Sequence, residues 1–272
     1  MGFAPGSVVV NEIMYAPLGE EPEWVEVMNL GGESVDLQRW RLSDANPASA
    51  AEVKQGVVLP PEGLLVLAQD SAIVRAFQID PKALAVVTPW PSLNNDADEI
   101  TLYDPLGQVI DRVPYRASWG GDRGISLEKI NPDIPGRDST NWASSAAPEG
   151  ATPGRRNSVF ARVLPSETTL TISPDVFSPD GDGRDDLAVI QYDLPLSTAT
   201  VNIKIYDMRG RLVRYLANNR PAGAHNSIVW DGRDERGEVA GMGLYVVFLQ
   251  ALNAQAGVLT TQKKTVVVAG GL

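Results

Sequence analysis

Short runs of apolar residues, separated by turn-forming residues, recur along the whole chain. In the first half they cover residues 8–14, 24–30, 63–68, 99–103, 108–112 and 124–130. In the second half they cover residues 170–172, 187–192, 200–206, 211–216, 226–230, 243–249 and 258–268. Several runs alternate between apolar and polar side chains, as half-buried strands do. The pattern therefore predicts an all-β protein.

Two segments depart from the strand pattern. Residues 71–77 follow Asp70, whose carboxylate suits a helix N-cap, and predict a helix of about two turns. Residues 146–166 are rich in proline and glycine and have no periodicity, which is typical of a boundary between domains. A chain of 272 residues is long enough for two ordinary domains. We therefore expect one domain at 1–162 and another at 163–272.

The same hairpin turn is predicted once in each half. The segments LYDPLGQVI at 102–110 and IYDMRGRLV at 205–213 each place a glycine three residues after an aspartate. The aspartate side chain can accept bonds from backbone amides later in the turn, and glycine can adopt a positive φ. Convergent turn chemistry explains this likeness better than a domain duplication.

Composition argues against several kinds of function. The chain has no cysteine, which excludes disulfides, thiol catalysis and thiolate metal sites. The single histidine, His225, makes a histidine zinc site or a Ser-His-Asp triad hard to build, and we expect it to be structural or solvated. A net charge of −11 without a basic run argues against nucleic-acid binding. No apolar run approaches membrane-spanning length, so no transmembrane segment is expected.

The first half resembles a bacterial lamin tail domain. The motifs that carry the resemblance are, in order, VVVNEIM at 8–14, EWVEVMN at 23–29, VDL at 35–37, WRL at 40–42, DEITLYD at 98–104, GISLEK at 124–129, NWASS at 141–145 and GATPG at 150–154. The resemblance implies an immunoglobulin-like β-sandwich that acts as a non-catalytic module of secreted or surface proteins. The residues agree, because Trp24, Trp40 and Trp142 are large enough to fill and close a sandwich core.

Four polar residues of this half could form a carboxylate cluster: Asn11, Glu12, Glu23 and Glu26. One interpretation is a metal or ligand site. The other, which we favour, is solvated outward strand positions together with a structural hydrogen-bond network. Glu23 and Glu26 cannot share a strand face, because side chains alternate with a period of two. Paired catalytic carboxylates are therefore not expected, and the chain is predicted not to be an enzyme.

The second half resembles the immunoglobulin-like domain of flagellar hook-capping proteins and the C-terminal sorting domains of type IX secretion cargo. Its motifs are VNIKIYD at 201–207, GRLVR at 210–214, VWDGRD at 229–234, GMGLY at 241–245 and KKTVVV at 263–268. The resemblance implies a second immunoglobulin-like β-sandwich. Whether it is a sorting signal is left open, because the chain continues past the basic pair through residues 269–272. Asp231 and Asp234 are interpreted as turn residues rather than cation ligands.

One motif has the chemistry of a metal site. Calcium prefers several oxygen ligands in loose geometry, and the alternating aspartates and glycines of DGDGRDD at 180–186 can supply them. The predicted Ca²⁺ ligands are Asp180, Asp182, the main-chain carbonyl of Arg184, and Asp185 or Asp186. Arginine at the fifth position departs from an EF-hand. A bound ion would stiffen the hinge between the domains; the alternative is an acidic turn that stays hydrated.

These features predict two tandem immunoglobulin-like β-sandwich domains from a larger secreted or cell-surface bacterial protein. The expected role is a non-catalytic structural, adhesion or spacer module, with a protein or a cell-surface polysaccharide as its partner. The main alternative is a C-terminal export and surface-attachment module; a carbohydrate-binding module or a hydrolase is less favoured. Trp90 and Trp119 lie in predicted loops, where they could stack on sugars or, as we favour, cap the sandwich.

Overall fold

The computed structural model describes residues 2–253 and 257–270. The chain divides into two compact units, Met1–Arg162 and Val163–Leu272. Strands form most of the regular secondary structure in both, so the predicted all-β class is confirmed. Within the described ranges, no helix has the length and apolar character needed to cross a lipid bilayer.

The described part of the first unit contains twelve strands, one α-helix and four 3-10 helices. The strands are β1 (Val8–Met14), β2 (Trp24–Asn29), β3 (Val35–Asp36), β4 (Arg41–Ser43), β5 (Ala51–Glu52), β6 (Val58–Leu59), β7 (Leu64–Ala68), β8 (Leu84–Val86), β9 (Ile100–Tyr103), β10 (Val109–Val113), β11 (Leu127–Lys129) and β12 (Trp142–Ser144). The helices are α1 (Ala72–Phe77) and the 3-10 helices Pro47–Ser49, Pro81–Ala83, Ala117–Trp119 and Ser139–Asn141. The unpredicted strands are only two or three residues long, too short to display an alternating pattern.

Two sheets enclose the main core of the first unit. One sheet has the order β12-β11-β1-β2-β7-β8, the other has the order β10-β9-β4-β5, and β3 pairs with β6. The core between them includes Ile13 and Val25 from the first sheet and Leu42 from the second. Trp40 and Trp142 are buried in this core, as the sequence predicts.

The outer face of the six-stranded sheet carries a smaller apolar cluster against helix α1. Trp24 and Val66 on this face pack with Ile73 of the helix. The helix begins after Ser71, whose side chain makes no capping bond. Asp70 was therefore predicted as the N-cap one residue too early, but its carboxylate accepts a bond of 2.7 Å from the Ala72 amide. Trp24 thus anchors the helix rather than the main core.

The second unit is built around two very long strands. Its strands are β13 (Thr169–Ser173), β14 (Val176–Phe177), β15 (Ala188–Asp207), β16 (Leu212–Trp230), β17 (Gly243–Asn253) and β18 (Val258–Val268). The sheet order is β13-β15-β17-β18-β14, with β16 beside β15. The prediction of two separate strands within β15, and two within β16, was wrong. Irregularities of register, including one between Asp193 and Thr198, interrupt the pairing of β15 with β16 while each strand continues.

The core of the second unit is centred on one aromatic group. Phe177 and Tyr245 each meet the ring of Trp230 edge-on, with ring centroids 5.3 Å apart. Trp230 and Phe177 are fully buried, and Trp230 is the only tryptophan of this unit. Apolar residues from β15 and β17 complete the cluster, among them Ile203 and Val247. The unit therefore has a hydrophobic core of its own.

The predicted hairpin turn is present in both units. Asp104 and Asp207 each accept bonds of 2.9–3.0 Å from the main-chain amides two and four residues later. Gly107 and Gly210 have φ angles of +85° and +76°, which a residue with a β-carbon rarely adopts. The turn chemistry inferred from the sequence is thereby confirmed.

Candidate functional site

Three glutamates form a row across the outer face of the six-stranded sheet. Strand register places Glu12 of β1 opposite Glu26 of β2 on one side and opposite Glu128 of β11 on the other. All three side chains are fully buried. Residues opposite each other on neighbouring strands have β-carbons about 5 Å apart. Three carboxyl groups therefore share one buried site, which we call the glutamate row.

Residues 150–159, which we call the strap, supply most of the hydrogen-bond donors above this row. The Glu12 Oε1 atom accepts bonds from the Thr152 amide at 2.8 Å and from the Ser126 hydroxyl at 2.6 Å. The Thr152 hydroxyl lies 3.0 Å from both Glu12 Oε2 and Glu128 Oε1. The Ser158 hydroxyl donates to Glu128 Oε2 at 2.8 Å. The carboxyl groups thus bind the strap to the sheet.

Glu26 is held by the same strap and by a β-bulge. Its oxygens accept bonds from the Gly154 amide and, at 2.9 Å, from the Asn11 amide group. The register of β1 against β2 shifts between Val10 and Glu12. A bulge adds one residue to a strand, which explains how neighbouring Asn11 and Glu12 both reach this site. Asn11 also bonds to Asn157 of the strap at 2.8 Å.

Burial changes the acid–base behaviour of the row. Removal from water raises the pKa of Glu12 well above its ordinary value, and the charges of Glu128 and Glu26 raise it further. Burial is also the main reason why the pKa of Glu26 rises to about 8, although bonds from Gly154 and Asn11 oppose that rise. At neutral pH the row therefore carries fewer negative charges than it has carboxyl groups.

The structure corrects the predicted carboxylate cluster in two respects. Glu12 and Glu26 are buried rather than solvated, because the strap covers them. The missing third member is Glu128, and its place between Leu127 and Lys129 gave no signal in the sequence that it would be buried. Glu23 lies elsewhere, as alternation predicts: its Oε2 atom accepts bonds from Trp90 at 2.8 Å and from the Leu93 amide at 3.1 Å.

A polar pocket of about 460 Å³ lies beside Glu23 in the first unit. Its lining includes Tyr15, Asp96, Asp122 and Arg123. Partial burial raises the pKa of Glu23. The hydrogen bonds that Glu23 accepts orient the 90–93 loop, so this carboxylate has a structural role. The pocket brings several charged groups of this unit together.

The two loop tryptophans are partly buried rather than freely exposed. Trp90 and Trp119 both pack against the main core of the first unit. Trp90 also donates its indole N–H to Glu23. These contacts agree with the favoured interpretation, in which the rings cap one end of the sandwich.

In the second unit, the structure brings together three of the predicted calcium ligands. Asp180, Asp182 and Asp186 each offer a carboxylate oxygen within 4.8 Å of the others. The first two are exposed, and the third is partly exposed. Oxygens bound to one Ca²⁺ lie 2.3–2.6 Å from it, so the spacing of these atoms fits a shared ion. We call residues 180–186 the acidic loop.

The carboxylate of Asp185 is not part of this group, whereas the main-chain carbonyl of Arg184 stays a predicted ligand. Asp185 has a φ of +46°, and its main-chain carbonyl accepts a bond of 2.8 Å from the Ser178 amide. Arg184 donates its amide to Asp182 at 2.7 Å. Asp186 accepts bonds from the amides of Gly181 and Gly183 at 2.6 and 2.8 Å. The loop is therefore preorganised by its own backbone, with three carboxylates on one side.

The remaining polar candidates of the second unit have structural partners. His225 bonds through Nδ1 to Asp193 at 2.8 Å, and both side chains are about half exposed. Asp231 accepts a bond from the Arg233 amide, and Asp234 accepts bonds from two amides of its loop. These aspartates are turn residues, as predicted.

Comparison with protein families decides the class of both units. The model of the lamin tail domain matches residues 2–117, and the model of the FlgD Ig-like domain matches residues 176–255. The chain joins a lamin tail domain to a FlgD Ig-like domain. The predicted resemblances to a lamin tail domain and to the immunoglobulin-like domain of hook-capping proteins are therefore confirmed, together with two immunoglobulin-like sandwiches. No curated protein is significantly similar to this sequence.

Three solved structures that match this chain resemble it only distantly. Latent PorU from Porphyromonas gingivalis is 14% identical with a TM-score of 0.29, over 97% of this chain and 20% of PorU. PorZ, an essential surface component of the type IX secretion system of the same bacterium, is 12% identical with a TM-score of 0.28, over 96% and 38%. The exo-chitosanase CsxA of Amycolatopsis orientalis is 15% identical with a TM-score of 0.23, over 93% and 26%. This chain spans well under half of each, and such TM-scores do not identify a shared activity.

Proposed function

We propose that this chain is a non-catalytic structural or adhesion module of a larger secreted or cell-surface bacterial protein. The observation that carries the proposal is that the polar clusters of the chain make structural hydrogen bonds. In the described residues, the glutamate row fastens the strap, Glu23 orients a loop, and the aspartates of the second unit form turns. Carboxyl groups already engaged in this way are poorly placed for acid–base catalysis, which needs groups directed at a substrate.

Calcium stiffening is the second part of the proposal. Asp180, Asp182 and Asp186 present their carboxylates together at the surface. A hard cation would offset the repulsion between them. Because the loop backbone is already folded around these side chains, little order has to be gained on binding. We propose that Ca²⁺ binds here and stiffens the FlgD Ig-like domain where the chain enters it.

Thermal unfolding with calcium against excess chelator tests this part. A ligand that binds only the native state raises the unfolding midpoint by mass action. Asp182→Asn is the informative variant, because asparagine keeps an oxygen for the Arg184 amide while losing the charge. We expect calcium to raise the midpoint of the parent and to have much less effect on the variant.

Asp234→Ala is the matched control, since it removes an aspartate from another turn of the same domain. It should lower the midpoint while leaving the calcium response intact. An unchanged parent midpoint in millimolar calcium would refute calcium stiffening. Clear turnover of a nucleic acid or a glycan by the purified chain would refute the non-catalytic role.

We propose a protein or a cell-surface polysaccharide as the partner of this module. The polar pocket beside Glu23 supports a site on the lamin tail domain, because it combines the Tyr15 hydroxyl with several carboxylates and Arg123. A panel of glycans and surface extracts tests the idea, with Asp122→Ala as the variant. Binding that survives this substitution unchanged would place the contact elsewhere.

A further inference from the structure

The two contacts of the Thr152 hydroxyl require a proton on one of the neighbouring carboxyl groups. The Thr152 Oγ1 atom lies 3.0 Å from Glu12 Oε2 and 3.0 Å from Glu128 Oε1. A hydroxyl has one hydrogen to donate and accepts any other bond. If both glutamates were ionised, one of these contacts would join two oxygens without a hydrogen between them. The geometry therefore demands a hydrogen on one of the carboxyl groups.

Position within the row decides which glutamate carries it. The other oxygens of the two residues are equivalent, because each accepts two donors: Ser126 and the Thr152 amide at Glu12, and Ser158 and the Val159 amide at Glu128. Glu12, however, stands in the middle, with a carboxyl group on each side. Glu128 has Ala143 as its other neighbour. An ionised Glu12 would meet two carboxyl groups in a dry site, and an ionised Glu128 only one.

We propose that the glutamate row is a proton-binding site closed by the strap, in which Glu12 holds the proton. Glu12 donates from Oε2 to the Thr152 hydroxyl, which donates in turn to Glu128 Oε1. One proton thereby links β1, the strap and β11. The strap stays closed while this proton is bound. Loss of this proton places a further negative charge in the site and favours release of residues 150–159.

The other charged groups around the row do not replace the proton. The strap carries Arg155, whose guanidinium lies 3.6 Å from Glu149, and Arg156, which stacks over Phe160 at 4.8 Å. Lys129 follows Glu128 on β11, and its ammonium group lies over the Trp142 ring at 6.0 Å.

The strands on either side of the row are uncharged at the facing positions. Strand β7 presents Val66 beside Glu26, and β12 presents Ala143 beside Glu128. Among the described residues, the hydrogen bonds to the three carboxyl groups come only from amides and hydroxyls. Protonation of a carboxyl group is therefore what reduces the repulsion between the buried carboxylates of this site.

Two isosteric substitutions separate the proposal from a purely structural role. Glu12→Gln replaces the protonated form, because its amide nitrogen can donate to Thr152 and its oxygen can accept from Ser126 and Thr152. In Glu128→Gln the NH₂ group finds an acceptor only if the Thr152 hydroxyl reverses and donates to Glu12, which must then lose its proton and carry the charge in the middle of the row. We expect Glu12→Gln to fold with nearly parental stability. The Glu128→Gln equilibrium constant for folding should fall roughly ten- to hundredfold.

Two further readouts keep the test decisive if Glu128→Gln fails to fold. Infrared spectra of the parent at neutral pH should contain a protonated carboxylic acid band that weakens in Glu12→Gln. Amide exchange of residues 150–159 should accelerate with rising pH beyond the intrinsic rate in the parent and much less in Glu12→Gln. A large loss of stability in Glu12→Gln, or an unchanged infrared band, would overturn the assignment to Glu12. A tolerated Glu128→Gln with a damaged Glu12→Gln would move the proton to Glu128.

Discussion

The glutamate row and the acidic loop are both groups of three carboxyl side chains, but they lie in opposite environments. Glu12, Glu26 and Glu128 are fully buried and come from three strands. The acidic loop takes its members from seven consecutive residues, which remain largely exposed. Backbone amides donate to both groups. Burial therefore determines whether like charges are avoided by protonation or can be left to water and ions.

The two groups also differ in what they fasten. The row joins residues that are more than 110 positions apart, such as Glu12 and Thr152. The loop bonds mainly to itself, as in the contact between Asp182 and the Arg184 amide. Loss of the row should therefore weaken tertiary structure, whereas loss of the loop should remain local.

A pair of glycine substitutions should give the largest contrast. Gly150 and Gly181 both have φ angles near +80°. A β-carbon at Gly150 would lie 2.2 Å from the Gly124 carbonyl oxygen, while one at Gly181 would meet nothing within 4 Å. Gly150→Ala should cost about 3–5 kcal/mol of unfolding free energy, and Gly181→Ala about 1–2 kcal/mol.

Intrinsic fluorescence can assign these losses, because five of the six tryptophans lie in the lamin tail domain. Denaturant unfolding monitored by fluorescence therefore reports mainly on Gly150→Ala. Calorimetry measures the second domain, where Gly181→Ala acts. Equal losses of unfolding free energy in the two variants would contradict this expectation. They would show that the contact of the new β-carbon with Gly124 adds nothing to the strain of a positive φ.

The pH dependence of stability is the next largest contrast. The pKa of Glu26 is about 8 in the native protein, against an ordinary value of 4.5. Above about pH 4.5 the unfolded chain loses this proton while the native chain keeps it. The free energy of unfolding should therefore be highest at or below that pH and fall until about pH 8. The fall is at most about 1.4 kcal/mol per pH unit for one group.

Fluorescence-monitored unfolding in urea between pH 5 and 9 measures this fall. Glu26→Gln removes one of the two groups with a raised pKa and should reduce the slope, while Glu12 accounts for the remainder. Asp182→Asn is the control, since it alters an exposed carboxylate of the other domain and should leave the slope unchanged. A parent whose stability rises with pH over this interval would contradict the raised pKa.

The two matching hairpin turns give the smallest contrast. Asp104 is fully buried, whereas Asp207 is partly exposed. Replacement of either by alanine leaves the same two turn amides without their acceptor, but water can reach them more readily at Asp207. We expect a loss of about 2 kcal/mol for Asp104→Ala and a smaller loss for Asp207→Ala. Calorimetry of both variants tests whether burial increases the stabilisation that the same turn provides.

Much of the local structure could be predicted from the sequence. Strand β1 has the predicted limits of residues 8–14, and β18 has those of residues 258–268. Alternating apolar residues determine such strands, because each side chain must face either the core or water. The aspartate–glycine turns could be predicted equally well, since their hydrogen bonds span only four residues. The continuity of β15 could not be predicted, because the strand continues through an irregular stretch that interrupts the alternation.

The amino-acid order was enough to infer most of the longer strands, the aspartate–glycine turns, the two families and the spacing of the aspartates in the acidic loop. All of these depend on residues close together in the chain or on ordered motifs. Strand pairing and packing were needed to learn that Glu128 joins Glu12, that a bulge brings Asn11 to the same site, and that the strap removes water from all of them. Whether a carboxyl group is ionised depends on its neighbours in space, and strand pairing determines those neighbours.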